Sequence, residues 1–138
     1  MNKLLAQECL ERWQPRLRLA DWDIRISDAP PEADTRGSTD IWWNQKAAKI
    51  RLAAELPDSV VEQVVVHELV HVALQPVTNL TNELMVKTGV MITPEHKERV
   101  QNAEEPVINQ IMRALGLPLI DEEQNDWGKV FSAEEARL

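Results

Sequence analysis

The sequence contains no tyrosine, a single cysteine, one phenylalanine and 4 glycines, and it is short of positive charge. Each shortage removes a class of explanation. Without tyrosine, no phenol is available to hydrogen-bond a developing oxyanion. Cys9 has no internal disulfide partner; set among Leu5, Leu10 and Trp13 on what reads as an amphipathic helix, it is expected to be a small core residue. The 15 Lys and Arg against 23 Asp and Glu give a net charge of -8, which argues against nucleic-acid binding through a general basic surface. Arg12, Arg16 and Arg18 form a local basic group that reads as a solvated face. No apolar run approaches the ~18 residues of a membrane span. Gln7 and Glu8 interrupt the N-terminal stretch where a signal peptide needs continuous apolar residues, so a cytoplasmic protein is expected.

What is present suits one compact domain: 138 residues, 43% hydrophobic and 28% charged, without internal repeat or low-complexity segment. Two of its 3 histidines fall in one stretch, Ser59 to Gln75, in the pattern His67-Glu68-Leu69-Val70-His71. The many valines of this stretch favour a strand by propensity. Length and punctuation favour a helix instead: Ser59 and Glu62 have capping-box spacing after Pro57, and Pro76 closes a segment of roughly 25 Å at ~1.5 Å per residue. Apolar residues cover most of its circumference, which predicts a central, buried helix. Residues four apart share a helix face, so His67 and His71 aim at a common point, as two ligands of a tetrahedral zinc ion do. Glu68, one step round, is placed to act as a general base without being a ligand.

Periodicity predicts the remaining elements. Residues 2 to about 19 read as a helix packed across the outside of a sheet, with Pro15 disturbing its end. Trp22 to Ile26 alternates as a strand, residues 29 to 34 form a loop, and Ser38 to Trp43, a turn at Asn44 to Lys46, and Ala48 to Leu52 read as a β-hairpin. Beyond Pro76, Val77 to Thr88 is open between loop and a short helix near Glu83 to Val86, ended by Gly89. Thr93 as N-cap and Pro94 at the first position open a further helix, which runs to Leu115 before Gly116 or is broken in two at Pro106. The expected layout is one domain: an N-terminal helix over 1–19, a core over 20–116 and an acidic extension over 117–138, in which Trp127, Val130 and Phe131 are the docking candidates.

A catalytic zinc needs one more protein ligand, and the candidates are His96, Glu83, Glu104, Glu105 and Asp121. Glu105 shares a helix face with Ile108 and Met112. The order strand, glycine-containing loop, tryptophan-rich strand, turn, strand, H-E-x-x-H helix and second glutamate-bearing helix resembles the small gluzincin-type metallopeptidases, including SprT-like and ImmA/IrrE-like proteins and compact HExxH proteins of phages and prophages. The resemblance covers roughly residues 20 to 116 and is tightest at the HExxH helix. In that family the third ligand leads a helix that stays apolar at +3, +6 and +7. Glu105, followed by Ile108, Ile111 and Met112, fits this frame, whereas Glu104 puts Gln110 at an apolar position; Pro106 is a departure, since it biases Glu105 away from α geometry.

The resemblance implies an α+β, zincin-like fold in which a small mixed sheet packs on the metal helix, with one zinc ion held by His67, His71 and Glu105. It implies peptide-bond hydrolysis with Glu68 moving the proton, and an exposed edge strand where Asp40, Ile41, Trp42 and Trp43 bind a peptide or protein substrate. Related enzymes commonly stabilise the oxyanion with Tyr, His or Arg; here that leaves His96, Arg99 or Arg113, with His96 the best of them. The alternative is a non-catalytic, zinc-stabilised binding module of the same fold. The acidic balance disfavours a DNA-associated protease of the SprT kind.

Overall fold

The computed structural model describes residues 1–32, 35–89 and 93–117, without the side chains of Met85, Lys97 and Gln101. The expected C-terminal extension from residue 118 on, and the candidate ligand Asp121 within it, lie outside the described residues.

The order is α1 (Lys3–Arg16), β1 (Asp23–Ser27), β2 (Gly37–Trp42), a short 3-10 turn (Trp43–Gln45), β3 (Ala47–Leu52), α2 (Asp58–Ala73), α3 (Gln75–Lys87) and α4 (Pro94–Ala114). This is an α+β arrangement with a three-stranded mixed sheet, order β1-β3-β2. β1 runs parallel to β3, pairing Ile24 with Ala48 and Ile26 with Ile50. β2 runs antiparallel to β3, pairing Thr39 with Ile50 and Ile41 with Ala48. The alternation read from the sequence sends Ile24, Ile26, Ala48, Ile50 and Leu52 to one buried face and leaves Asp23, Arg25 and Lys49 exposed on the other. The hairpin between β2 and β3 closes through Lys46 in the left-handed region, φ 47°.

α2 lies at the centre, touching β2, β3 and the other three helices. Val60, Val61, Val64, Val65, Val66, Leu69, Val70 and Val72 are all buried. Burial on every side overrides the strand propensity of valine, because each enclosed side chain contributes about 1.5–3 kcal/mol. The sheet comes so close to this helix that a Cβ at Gly37 would lie 3.0 Å from Val64 Cγ1 and 3.2 Å from the Arg51 carbonyl. Glycine there admits the approach.

Three expectations about the helices need correction. The Ser59–Glu62 capping box does not form: Pro57 is the N-cap and no side chain caps α2. The Glu62 carboxylate instead accepts hydrogen bonds from Arg12 Nη1 at 2.8 Å and Trp13 Nε1 at 2.9 Å, tying α1 to α2. Second, α1 ends at Arg16, and it packs chiefly against α2 rather than across the sheet, burying Ala6, Cys9, Leu10 and Trp13. Third, the ambiguous stretch after Pro76 is a full helix: Pro76 sits in the first turn of α3, where its missing N–H costs nothing, and only Leu74 separates α3 from the end of α2. Thr93 does cap α4, and Pro106 lies inside it without ending it. Ile108 and Met112, 0% and 1% exposed, anchor that half of α4 into the core shared with α2. Gly89 and Gly116, both at φ 78°, follow α3 and α4.

Candidate metal centre

The i, i+4 spacing on α2 turns His67 and His71 toward each other, ring centroids 5.2 Å apart. His67, Glu68 and His71 form a group that could hold a metal ion, with one ligand atom from each lying within 4.8 Å of the others. His67 is 9% and Glu68 6% exposed. Groups so buried need partners, and those partners come from three other elements.

From β2, the Thr39 hydroxyl donates to Glu68 Oε1 at 2.7 Å, fixing one carboxylate oxygen. From α4, Glu105 faces both histidines, Oε2 at 3.3 Å from His67 Nε2 and Oε1 at 3.2 Å from His71 Nε2. Its neighbour Glu104 pairs through Oε2 with the other ring nitrogen of His71, Nδ1, at 2.9 Å. From α3, the Thr78 hydroxyl donates to Glu104 Oε1. Adjacent glutamates thus reach opposite nitrogens of one imidazole, and the chain Thr78, Glu104, His71 fixes the ring from behind.

Electrostatics follow from this geometry. Burial alone pushes the His71 imidazole down, but hydrogen bonds to Glu104 and Glu105 and the nearby Glu68 carboxylate outweigh it and raise it to about 10. Burial pushes the Glu105 carboxyl up, but hydrogen bonds from His67 and His71 outweigh that and hold it well below the usual carboxylate range. Two imidazole nitrogens and a carboxylate drawn onto one point form a donor set that suits zinc. A Glu104 carboxylate on His71 Nδ1 is the support that leaves Nε2 free to act as a ligand. The residues present therefore fit a metal ion such as zinc, with two carboxylates, Glu68 and Glu105, beside the histidine pair. Glu68 Oε1 accepts from Thr39, while Glu105 lies between the two Nε2 atoms.

The other candidate residues are dispersed. His96 belongs to the capping box of α4, its backbone N–H donating to Thr93 Oγ1 at 3.3 Å and its Nδ1 accepting from the Thr93 N–H at 3.4 Å. It begins a helix on which Glu105 lies about 13 Å further along the axis, beyond the reach of an imidazole. Glu83 lies on α3 beside a groove that Trp42 and Trp43 also line, and Cys9 is buried in α1, where burial raises its thiol. On β2, Asp40 pairs with Arg51 at 3.1 Å and Ile41 packs half-buried on the core. Trp42 is 43% exposed with the Lys49 ammonium 6.0 Å from its ring, and Trp43 tilts onto Trp22 at 5.9 Å. Neither Thr39 nor Thr78 is marked out by the sequence: alternation along β2 is the one signal for Thr39, and Thr78 lies in a stretch that the sequence leaves open between loop and helix.

No protein-family model, curated protein or solved structure matches this chain. No helix among the described residues is long and apolar enough to cross a membrane.

Proposed function

We propose that the protein is a zinc-dependent peptidase with a zincin-like fold, in which His67, His71 and Glu105 hold one zinc ion and Glu68 is the general base. The observation that carries this reading is the convergence of both Nε2 atoms on Glu105, with the Glu68 carboxylate alongside and separately held. Zinc bound there supplies Lewis acidity, polarising a peptide carbonyl and acidifying water.

The chain's own groups do the rest. Thr39 keeps Glu68 Oε1 occupied, so the other carboxylate oxygen takes the proton from the attacking water and later returns it to the leaving amine. Glu104 and Thr78 hold the His71 ring in one orientation and one tautomer. β2 is an edge strand, paired with β3 on one side and unpaired on the other among the described residues. An extended substrate can add to that edge as a further strand, passing Thr39 and so the Glu68 carboxylate.

The lack of tyrosine favours one competing reading, a zinc-stabilised module that binds peptides without cutting them. Incubating zinc-loaded wild type and Glu68→Gln with a mixture of unstructured peptides separates the two. The peptidase predicts cleavage by wild type and a rate lower by ~10²–10⁴-fold in Glu68→Gln with zinc retained. Equal, vanishing cleavage by both proteins would leave the binding module.

A further inference from the structure

We infer that the groove between the hairpin tip and α3 is a specificity site for a bulky apolar side chain of an extended peptide, about three residues from the bond cleaved at the metal centre. The inference rests on the peptidase reading. The groove measures about 630 Å³, with Trp42 and Trp43 on one wall and Asn79, Asn82 and Val86 of α3 on the other. Both walls begin at the metal centre. Asn79 follows Thr78, which holds Glu104, and Trp42 shares β2 with Thr39, which holds Glu68. At ~3.3 Å per strand residue, Trp42 stands about 10 Å from Thr39, so a peptide added along β2 carries its third residue beyond Thr39 into the groove.

The lining selects the ligand. Trp42, Trp43 and Val86 are 43%, 38% and 63% exposed, an apolar surface large enough to cover an aromatic or branched side chain. Glu83 and Lys87 also line the groove and give it no net charge, and Lys49 already stands over the Trp42 ring, so a cationic side chain gains little. The occupant is an extended polypeptide, held by its backbone at the β2 edge and selected by one apolar side chain between Trp42 and Val86.

The test uses fluorescein-labelled peptides of Gly, Ser and Ala carrying one central Phe, or Ala in its place, with fluorescence anisotropy on zinc-loaded Glu68→Gln protein. Phe is expected to tighten binding about tenfold, and Trp42→Ala and Val86→Asp, both at exposed positions, are each expected to abolish that difference. With wild type, mass spectrometry is expected to place the cut about three residues from the Phe. Equal binding of the two peptides, or a Phe preference that survives in both variants, overturns the inference. Phe-dependent binding lost in both variants, without cleavage by wild type, upholds the groove and overturns the peptidase reading. Cleavage at positions unrelated to the Phe does the reverse.

Discussion

α2 and α3 follow one another with only Leu74 between them, yet they are built on opposite terms. α2 is enclosed by the core, and the polar residues of its second half are His67, Glu68 and His71. None of the described residues of α3 is buried, and Val77, Leu80, Leu84 and Val86 are all more than half exposed. One helix is fixed by the core; the other is held at its start by few links, among them the Thr78 hydroxyl on Glu104. The two histidines of the candidate metal centre sit on the enclosed helix, and the wall that faces the groove sits on the open one. Sites built on rigid elements hold their geometry, whereas surfaces that meet varied partners gain from local freedom.

The largest expected effect is on stability. Leu69→Ala, in the enclosed helix, is expected to cost about 2–5 kcal/mol, and Leu84→Ala on α3 less than about 0.5 kcal/mol, both read from urea denaturation. Similar costs at the two positions would erase the contrast between the helices.

A smaller effect tests the link between them. Glu104→Ala is expected to weaken zinc binding by ~10–100-fold in competition with a chelating dye, since His71 loses its supporting carboxylate. Thr78→Val should act in the same direction and less strongly. Unchanged affinity in both would mean that α3 contributes a wall to the groove and nothing to the metal centre.

The last contrast is one of pH, because the two strongly shifted groups, His71 and Glu105, belong to α2 and α4 and none to α3. In the metal-free protein His71 titrates at about 10, above its ordinary value of 6.5. Its ion pairs therefore stabilise the fold fully below pH 6.5, and that contribution falls away as pH rises through about 10. Glu105 is shifted down, so its contribution is present above its ordinary value of 4.5 and is lost as pH drops toward the lowered one. Protein in excess chelator should thus be most stable between those two ordinary values and lose up to a few kcal/mol toward pH 10. Zinc must displace the His71 proton, so its apparent affinity should rise about tenfold per pH unit through neutrality. A flat affinity profile would show that His71 is already neutral without metal.

The sequence was legible where several signals agreed. The strands and hairpin followed from alternation, the central helix from length and an apolar circumference, and the start of α4 from Thr93 and Pro94. It misled where one local signal had two physical outcomes. Proline after a helix serves equally as a stop and as a first-turn residue, and Pro76 is the second. The spacing of Ser59 and Glu62 fits a cap, but Arg12 and Trp13, far away in sequence, take the Glu62 carboxylate. The inner ring of the site was partly legible: the face shared by Glu105, Ile108 and Met112 brings that carboxylate to the histidines. Glu104 is a candidate ligand from the sequence, and its place behind His71 depends on how α4 crosses α2, which no spacing within α4 encodes. Thr39 and Thr78 depend on contacts between elements in the same way, and His96 turned out to serve its own helix terminus.

The deciding measurement is the zinc content, by elemental mass spectrometry, of wild type, Glu105→Ala and Glu68→Gln purified without added metal. A three-ligand site with Glu68 as base predicts about one zinc per chain in wild type and Glu68→Gln, and its loss in Glu105→Ala. Zinc kept in Glu105→Ala and lost in Glu68→Gln would make Glu68 the third ligand and remove the general base. No zinc in any of the three, even after reconstitution, would make the buried histidines and glutamates a structural ion-pair cluster and contradict the metal centre outright.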